Sequence, residues 1–246
     1  MARTHASSPA HVAARANGTA YEIDLFGAIG GYEGVSAQQF KDLLEDAGNP
    51  SSIVVNLNSP GGDVFDGIAI HNLLASHGAS IEVRVMGLAA SAASVIAMAG
   101  DSILMGEGSF IMIHNAWTIA VGDTREMAKM GRTLAGIDRE LAKTYAARTG
   151  EGVAEIKDMM DAETWMGADD AIELGFADGT FEAPPEAKNS FDLSRFKNVP
   201  KALVVKGSKR SAKDHNRRAL PTPVAENLSP LRAALERLNL SMCTPS

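Results

Sequence analysis

The sequence is poor in cysteine and in aromatic residues. Cys243 is the one cysteine among 246 residues, and aromatic side chains make up 5% of the chain. A single cysteine excludes a disulfide scaffold and a cysteine-rich zinc site, and it is typical of a reducing compartment. So few aromatic residues argue against a surface that stacks nucleic-acid bases. No His, Asp and Glu cluster has metal-ligand spacing, so we expect neither a metal nor another cofactor.

Long apolar runs and excess positive charge are also missing. The longest uncharged apolar run, residues 85–100, is shorter than the roughly 20 residues that span a bilayer. The first twenty residues contain no apolar stretch of signal-peptide length. The formal net charge of −7 does not favour general binding to nucleic acid. We therefore expect a cytoplasmic protein that binds neither membrane nor nucleic acid.

Composition and charge divide the chain into three parts. Residues 1–19 show no periodicity and predict a disordered leader, whereas residues 20–182 alternate strand-like and helix-like patterns. Residues 183–246 hold seven of the ten prolines and a net charge of +7, against −14 for residues 1–182. This asymmetry predicts an acidic globular domain followed by a basic, mostly disordered tail. The tail has one short amphipathic stretch, Pro230–Leu240.

The central part predicts an α/β fold in which helices cover a largely parallel sheet. Ile53–Leu57 is a short, mostly apolar run, typical of a buried parallel strand. Apolar residues spaced three or four apart over residues 123–148 form one stripe and predict a long helix. Further strands are predicted at 81–86, 103–105 and 110–113, and further helices at 64–77, 90–99, 152–160 and 168–174.

A glycine-rich turn joins the first predicted strand to its helix. Asn58–Asp63 reads Asn-Ser-Pro-Gly-Gly-Asp. Two glycines here let the backbone approach a ligand and present free N–H groups to it. On this hexapeptide alone, a plain turn capped by Asp63 is the more frequent explanation. A phosphate-binding loop is disfavoured, because no lysine follows the glycines.

A serine surrounded by small residues lies in the second motif, Gly87–Ser94. Ser91 stands at a strand-to-helix turn, which is how a nucleophile is displayed, and the following N–H would stabilise developing negative charge. The Gly-x-Ser-x-Gly pattern of α/β-hydrolases is absent, since alanines flank Ser91. An Ala/Ser helix packed on the sheet is the structural alternative.

A histidine directly follows the apolar run Phe110–Ile113. His114 therefore lies at the C-terminal end of a strand, where α/β proteins build their sites. A lone histidine is more often structural, but the combination is more specific than its parts. A Gly-Gly turn, a serine and a histidine at strand ends in one α/β domain provide the groups for acyl transfer by a serine nucleophile.

These segments resemble the signature blocks of the Clp protease proteolytic subunit family, a family of serine peptidases. The resemblance rests on Ser59–Gly62, Gly87–Ser91, Met112–His114 and Trp165–Asp178, in the family order and at near-family spacing. It covers about residues 20–182 and implies the Clp protease/crotonase superfold with a long handle helix. Three short segments, Ala-Ala-Ser-Ala-Ala-Ser, His-Asn-Ala-Trp and Glu-Thr-Trp, are most similar to those of the Clp-related head-maturation (prohead) proteases of phages and prophages.

The resemblance assigns roles to individual residues. It implies that Ser91 is the nucleophile and His114 the general base. The oxyanion hole would consist of the backbone amides of Gly62 and Ala92. Pro60 and Gly61 would shape the strip along which a substrate pairs as an added strand.

The third member of the triad departs from the family pattern. The last of the signature blocks, Trp165–Asp178, is called the closing segment. The family has an aspartate two residues before the aromatic residue that begins this segment, and here that position holds Glu163. Asp161, two residues earlier, is the rival. A third alternative is that neither carboxylate contacts His114.

The resemblance also implies partners. We expect homo-oligomeric rings, heptamers or stacked heptamers, that cleave protein or peptide substrates, with phage capsid or scaffold proteins as the candidates. The leader has no counterpart of the family's axial-loop residues, so we expect an ATP-independent endopeptidase in the host cytoplasm, free or associated with proheads. The basic tail is either a solvated linker or a tether to the prohead. A crotonase-type acyl-CoA enzyme and a non-catalytic assembly scaffold are the competing interpretations.

Overall fold

A mixed β-sheet runs through the protein, in a computed structural model that describes residues 10–17, 20–182 and 191–203. The strands within these residues are, in chain order, β1 His11–Asn17, β2 Ala20–Phe26, β3 Ser52–Ser59, β4 Ser80–Ala90, β5 Ser102–Gly106, β6 Phe110–Ile113, β7 Thr164–Met166 and β8 Gly179–Phe181. Strands β1, β2, β3, β4, β5 and β8 are neighbours in that order, and β6 pairs with β4 and β7. The β1–β2 and β6–β7 pairs are antiparallel, and the other pairs described are parallel.

Helices connect the strands. Those in the described residues are α1 Ala37–Ala47, α2 Val64–Ala75, α3 Ala92–Ala97, α4 Thr124–Thr149, α5 Val153–Asp161 and α6 Ala168–Glu173. The start of α2 is fixed by Asp63, whose carboxylate accepts hydrogen bonds from the N–H groups of Phe65 and Asp66. This cap sets the point at which the glycine-rich turn ends and the helix begins.

One face of the central strands is completely buried. Ile53, Val55 and Leu57 of β3 and Val83 and Val85 of β4 have no exposed surface. The residues that alternate with them in β4, Glu82 and Arg84, lie on the opposite face and are half-buried. The apolar face is what makes these strands visible in the sequence. The predicted α/β class is confirmed.

Strand β4 changes partner along its length. Its first part, Glu82–Val85, pairs with β5, whereas Leu88–Ala90 pairs with β6. The β3–β4 register shifts at the same level, where Asn58 Oδ1 accepts a hydrogen bond from Leu88 N at 3.1 Å. The end of β4 is therefore separated from β5 and lies beside β6. The helix predicted at 90–99 begins later, because Ala90 still belongs to β4 and Ser91 caps α3.

The long predicted helix is confirmed as α4. At its C-terminal end, Leu141 and Tyr145 are buried. Toward its N-terminus, Met127 and Met130 are 39% and 36% exposed. The apolar stripe therefore enters the core at one end only, and its other end is uncovered in the single chain.

Strand β1 corrects the prediction of a disordered leader. Its Arg15 side chain pairs with Glu22 at 2.7 Å and with Asp24 at 2.6 Å, both on β2. Val12 and Ala14, which alternate with the outward-facing residues, pack against the core. The period-two pattern of β1 is weak in the sequence, because alanine supplies most of its apolar positions. The predicted amphipathic stretch at 230–240 lies outside the described residues.

Candidate active site

Ser91 occupies the turn between β4 and α3 in a strained backbone conformation. Its φ of 57° lies in the left-handed region, which residues with a Cβ rarely adopt. Ser91 N donates a hydrogen bond to Met112 O at 2.9 Å, and Ser94 Oγ donates one to Ser91 O at 2.6 Å. The Ser94 hydroxyl also lies 2.8 Å from the hydroxyl of buried Tyr145 on α4. Such strain persists where the surroundings fix it, and it clusters at functional sites.

His114 follows the last residue of β6, the strand that pairs with the end of β4. Its Nε2 lies 2.8 Å from Ser91 Oγ. With the ring proton on Nδ1, the serine hydroxyl donates to Nε2, which is the arrangement that lets a histidine accept the serine proton. The next two residues fix the chain: Asn115 Nδ2 donates to Asp161 and Ala116 N donates to Asp138. The two residues singled out in the sequence are thus hydrogen-bonded.

Two backbone amides flank Ser91. Gly62 forms a parallel bridge with Ile29 in which Ile29 N donates to Gly61 O and Asp63 N donates to Ile29 O. This pattern turns the Gly62 N–H away from Ile29, and Gly62 is exposed. The Ala92 N–H belongs to the first residue of α3, where no helical acceptor exists.

Gly61 brings the two turns into contact. An added Cβ at Gly61 would lie 2.4 Å from Ala90 O, 2.7 Å from Ser91 Cβ and 2.9 Å from Ala92 N. Only a glycine permits so close an approach. Both predicted oxyanion amides therefore belong to backbone that meets at the nucleophile.

Comparison with known families agrees with this geometry. The model of the Clp protease family matches residues 32–184, which is more than half of the chain. The chain belongs to the Clp protease family. The match includes the glycine-rich turn, Ser91, His114 and the closing segment. It supports the predicted superfold and does not favour the crotonase alternative.

Curated relatives in this family carry the name ATP-dependent Clp protease proteolytic subunit. One from Pleurastrum terricola is 33% identical over 126 residues, covering 50% of this chain and 64% of the relative. One from Porphyromonas gingivalis is 29% identical over 141 residues, covering 56% and 64%. A proteolytic subunit 1 from Prochlorococcus marinus is 31% identical over 149 residues, covering 58% and 74%. The chain thus spans slightly less than two thirds of the first two relatives.

The two candidate acids of the Clp triad lie in different surroundings. Asp161 accepts a hydrogen bond from Asn115, and Glu163 Oε1 accepts from the backbone N–H groups of Lys197 at 2.8 Å and Asn198 at 2.7 Å. Among the described contacts, neither carboxylate is hydrogen-bonded to His114. Glu163 is nevertheless close enough for its charge to act on the imidazole. Like Ser91, Glu163 has a positive φ, 52°.

The described part of the predicted tail, residues 191–203, packs beside this site. Phe196 is 7% exposed, and its ring meets that of His114 edge-on with centroids 5.5 Å apart and that of Trp165 with centroids 5.6 Å apart. The Arg195 guanidinium lies 4.8 Å from the centre of the Phe196 ring. A disordered tail was expected here, and sequence reasoning assigned none of these residues to the site. The available signal was the recurrence of Phe and Leu within a basic segment.

Arg195 also contacts the predicted substrate strip, residues 60–61. Its guanidinium donates a hydrogen bond to Pro60 O at 2.6 Å. Gly61 O accepts from Ile29 N, and Gly61 N donates to Ser59 Oγ at 3.0 Å. Because Pro60 and Gly61 are buried and bonded within the protein, a substrate strand cannot pair with them in this arrangement. The exposed part of the strip begins at Gly62.

Three influences act on the imidazole of His114. Burial is the largest and lowers the pKa of His114, because it disfavours the charged form. The negative charge of Glu163 raises this pKa, and the positive charge of Arg195 lowers it. The net pKa is below the ordinary histidine value, so the imidazole stays neutral, and able to accept a proton, to a lower pH than an ordinary histidine does.

A cavity of about 480 Å³ opens beside the dyad. Ser91, His114 and Arg195 line its polar part, and side chains from α3 and α4 line its apolar part: Val95, Met130, Leu134, Ile137 and Leu141. A peptide whose carbonyl carbon reaches Ser91 could place an apolar side chain in this cavity. Within the described residues, no group of His, Cys, Asp and Glu side chains could hold a metal ion, and no helix is long and apolar enough to cross a membrane.

Proposed function

We propose that the protein is a serine-type endopeptidase in which Ser91 is the nucleophile and His114 the general base. The observation that carries this proposal is the 2.8 Å contact between Ser91 Oγ and His114 Nε2 at a cavity large enough for a side chain. The left-handed turn at Ser91 presents the hydroxyl outward. The family membership supports the same chemistry.

The reaction proceeds in two halves. Ser91 Oγ attacks the peptide carbonyl carbon while its proton passes to His114 Nε2, and the carbonyl oxygen takes the negative charge. The N–H groups of Gly62 and Ala92 stabilise this oxyanion, each contributing about 2.7–4 kcal/mol. The C–N bond then breaks, and His114 returns the proton to the leaving amine. Water, deprotonated by His114, hydrolyses the acyl ester and restores the Ser91 hydroxyl.

The role of Glu163 in this proposal is electrostatic. Its carboxylate stabilises the imidazolium that forms when His114 takes the serine proton, because an opposite charge nearby favours the charged ring. Asp161 is disfavoured as the third triad member, since its described contact is with Asn115.

The proposed substrates are polypeptides with an apolar residue on the acyl side of the cleaved bond, since α3 and α4 line the cavity with aliphatic side chains. We further propose that these polypeptides are phage capsid or scaffold proteins cleaved in the host cytoplasm without an ATPase. The similarity of the serine, histidine and closing motifs to phage head-maturation proteases supports this assignment. Incubating the protein with its capsid and scaffold proteins, without ATP, tests it: cleavage supports the assignment, and cleavage only with an unfoldase and ATP contradicts it.

We propose that the protein acts as a homo-oligomeric ring. Met127 and Met130 on α4 and Ile119 and Val121 before it leave apolar surface exposed in the single chain. Association of several copies through the handle helix would bury this surface, as expected for stacked heptamers. A ring would also enclose the cavity and restrict cleavage to flexible segments.

The test of activity is labelling with a fluorophosphonate followed by peptide cleavage. Wild-type protein should label on Ser91 and cleave, whereas Ser91→Ala should not label and should lose on the order of 10⁶-fold in kcat. Ser76→Ala, a surface serine at the end of α2, is the matched control and should behave as wild type. Absence of both labelling and cleavage in assembled wild-type protein would instead support the scaffold alternative.

A further inference from the structure

Residues 191–203 are attached to the site by contacts on three sides. Arg195 donates a hydrogen bond to Pro60 O, in the turn that precedes the oxyanion amides. Glu163 Oε1 accepts hydrogen bonds from the backbone of Lys197 and Asn198. Between these anchors, Phe196 is buried against the His114 ring. The segment is thus fixed by hydrogen bonds on both sides of Phe196, and these bonds position the Phe196 ring against His114.

Phe196 belongs to a small apolar cluster that is separate from the main core. Leu88, Ala90 and Met112 form its floor, at the ends of the two strands that carry Ser91 and His114. Its partly buried members are Phe110, Trp165, Phe191, Leu193, Val199 and Leu203. The segment therefore completes the packing of the strand ends that hold the dyad.

We propose that Phe196 is a positioning residue that holds the His114 imidazole in hydrogen-bonding position to Ser91, and that residues 195–198 form a wall of the active site. This inference rests on the proposed function. The edge-on contact, with ring planes at 89°, restricts rotation of the imidazole from the side of the closing segment. In a Ser-His-Asp triad, a hydrogen-bonded carboxylate fixes the imidazole. Here the described hydrogen bonds of Glu163 Oε1 come from the backbone of Lys197 and Asn198. Packing of Phe196 against the imidazole supplies the restraint instead.

The same contact shields His114 from water. Burial lowers the pKa of His114, and Phe196 contributes part of that burial. The charged and titratable groups that act on His114 from the surrounding elements are Ser91, Glu163 and Arg195, and Asp192 acts on it indirectly through Arg195. Removing the Phe196 ring would admit water and raise the pKa of His114.

The test compares two phenylalanines of the same segment in the full-length protein. Phe196→Ala should reduce kcat by about 10–100-fold with little change in KM, since a misplaced general base costs this much. It should also move the acidic limb of the kcat profile to higher pH. Phe191→Ala removes a ring from the same cluster, whereas the described ring contact to His114 is that of Phe196, and it should leave both quantities near wild type. Phe196→Leu, which keeps most of the apolar volume, should recover part of kcat.

A second measurement does not require activity. In Ser91→Ala protein, the His114 ring titrates in NMR spectra, and its pKa should rise on adding Phe196→Ala but not on adding Phe191→Ala. Failure of the wild type to label or cleave, with this pKa difference intact, would overturn the proposed function alone. Equal effects of both alanine variants, or no effect of either, would overturn the positioning role. Faster cleavage by Phe196→Ala would overturn it too, because the segment would then be a block.

Discussion

Replacing Gly61 by alanine tests the geometry of the oxyanion hole without touching a reacting group. Gly61 has a φ of 81°, so a side chain there carries a backbone cost of about 1–2 kcal/mol. The new Cβ would also lie 2.4 Å from Ala90 O and 2.9 Å from Ala92 N. Restoring ordinary contacts would require a shift of the Ser91 turn approaching about 1 Å, which is enough to cost about 10²-fold in rate. Together with a misaligned oxyanion donor, the expected loss in kcat/KM is about 10²–10³-fold.

Gly108 provides the matched control. Its φ is 70°, and an added Cβ would meet nothing within 4 Å. Gly108→Ala therefore carries the backbone cost without the steric overlap, and it should lose stability in urea unfolding but retain kcat/KM. The assay is peptide cleavage at a temperature where both variants are folded. A Gly61→Ala enzyme within about tenfold of Gly108→Ala, or about 1.4 kcal/mol, would refute the inferred contact between the two turns.

Two further predictions concern charge and assembly. Arg195→Gln should shift the acidic limb of the kcat profile to higher pH, because Arg195 lowers the pKa of His114. Glu163→Gln should shift the same limb to lower pH, because Glu163 raises the pKa of His114. Shifts in the same direction for both variants would contradict the assigned charges. Met127→Asp combined with Met130→Asp should convert rings to smaller species in analytical ultracentrifugation, because charges would replace apolar surface at the proposed contact. Rings of unchanged size would place the subunit contacts elsewhere.

The sequence predicts those elements that carry a clear apolar pattern. Strand β6 and most of β3 appear as apolar runs, and α4 appears through its long stripe. His114 was found because it directly follows β6, and Ser91 because small residues flank it at a strand-to-helix turn. Strands β7 and β8 were missed because three residues are too few to show a period.

The surroundings of the dyad could not be predicted in the same way. The contacts of Glu163 depend on backbone amides more than thirty residues away, at Lys197 and Asn198. Backbone groups carry no sequence signal, so the sequence left open whether Glu163, Asp161 or neither contacts the imidazole. Phe196 was hidden by the composition of residues 183–246 as a whole, where basic residues and prolines are frequent, although the apolar residues of 191–203 pack together.

The position of the wall along the chain has a consequence for biosynthesis. Phe196 follows His114 by 82 residues, which a ribosome adds in about 4–16 s at about 5–20 residues per second. During that interval the serine and histidine exist without the aromatic ring that fixes the base. The nascent polypeptide therefore acquires its full reactivity only after the strands that carry the dyad have been made. This delay would protect neighbouring nascent chains from premature cleavage.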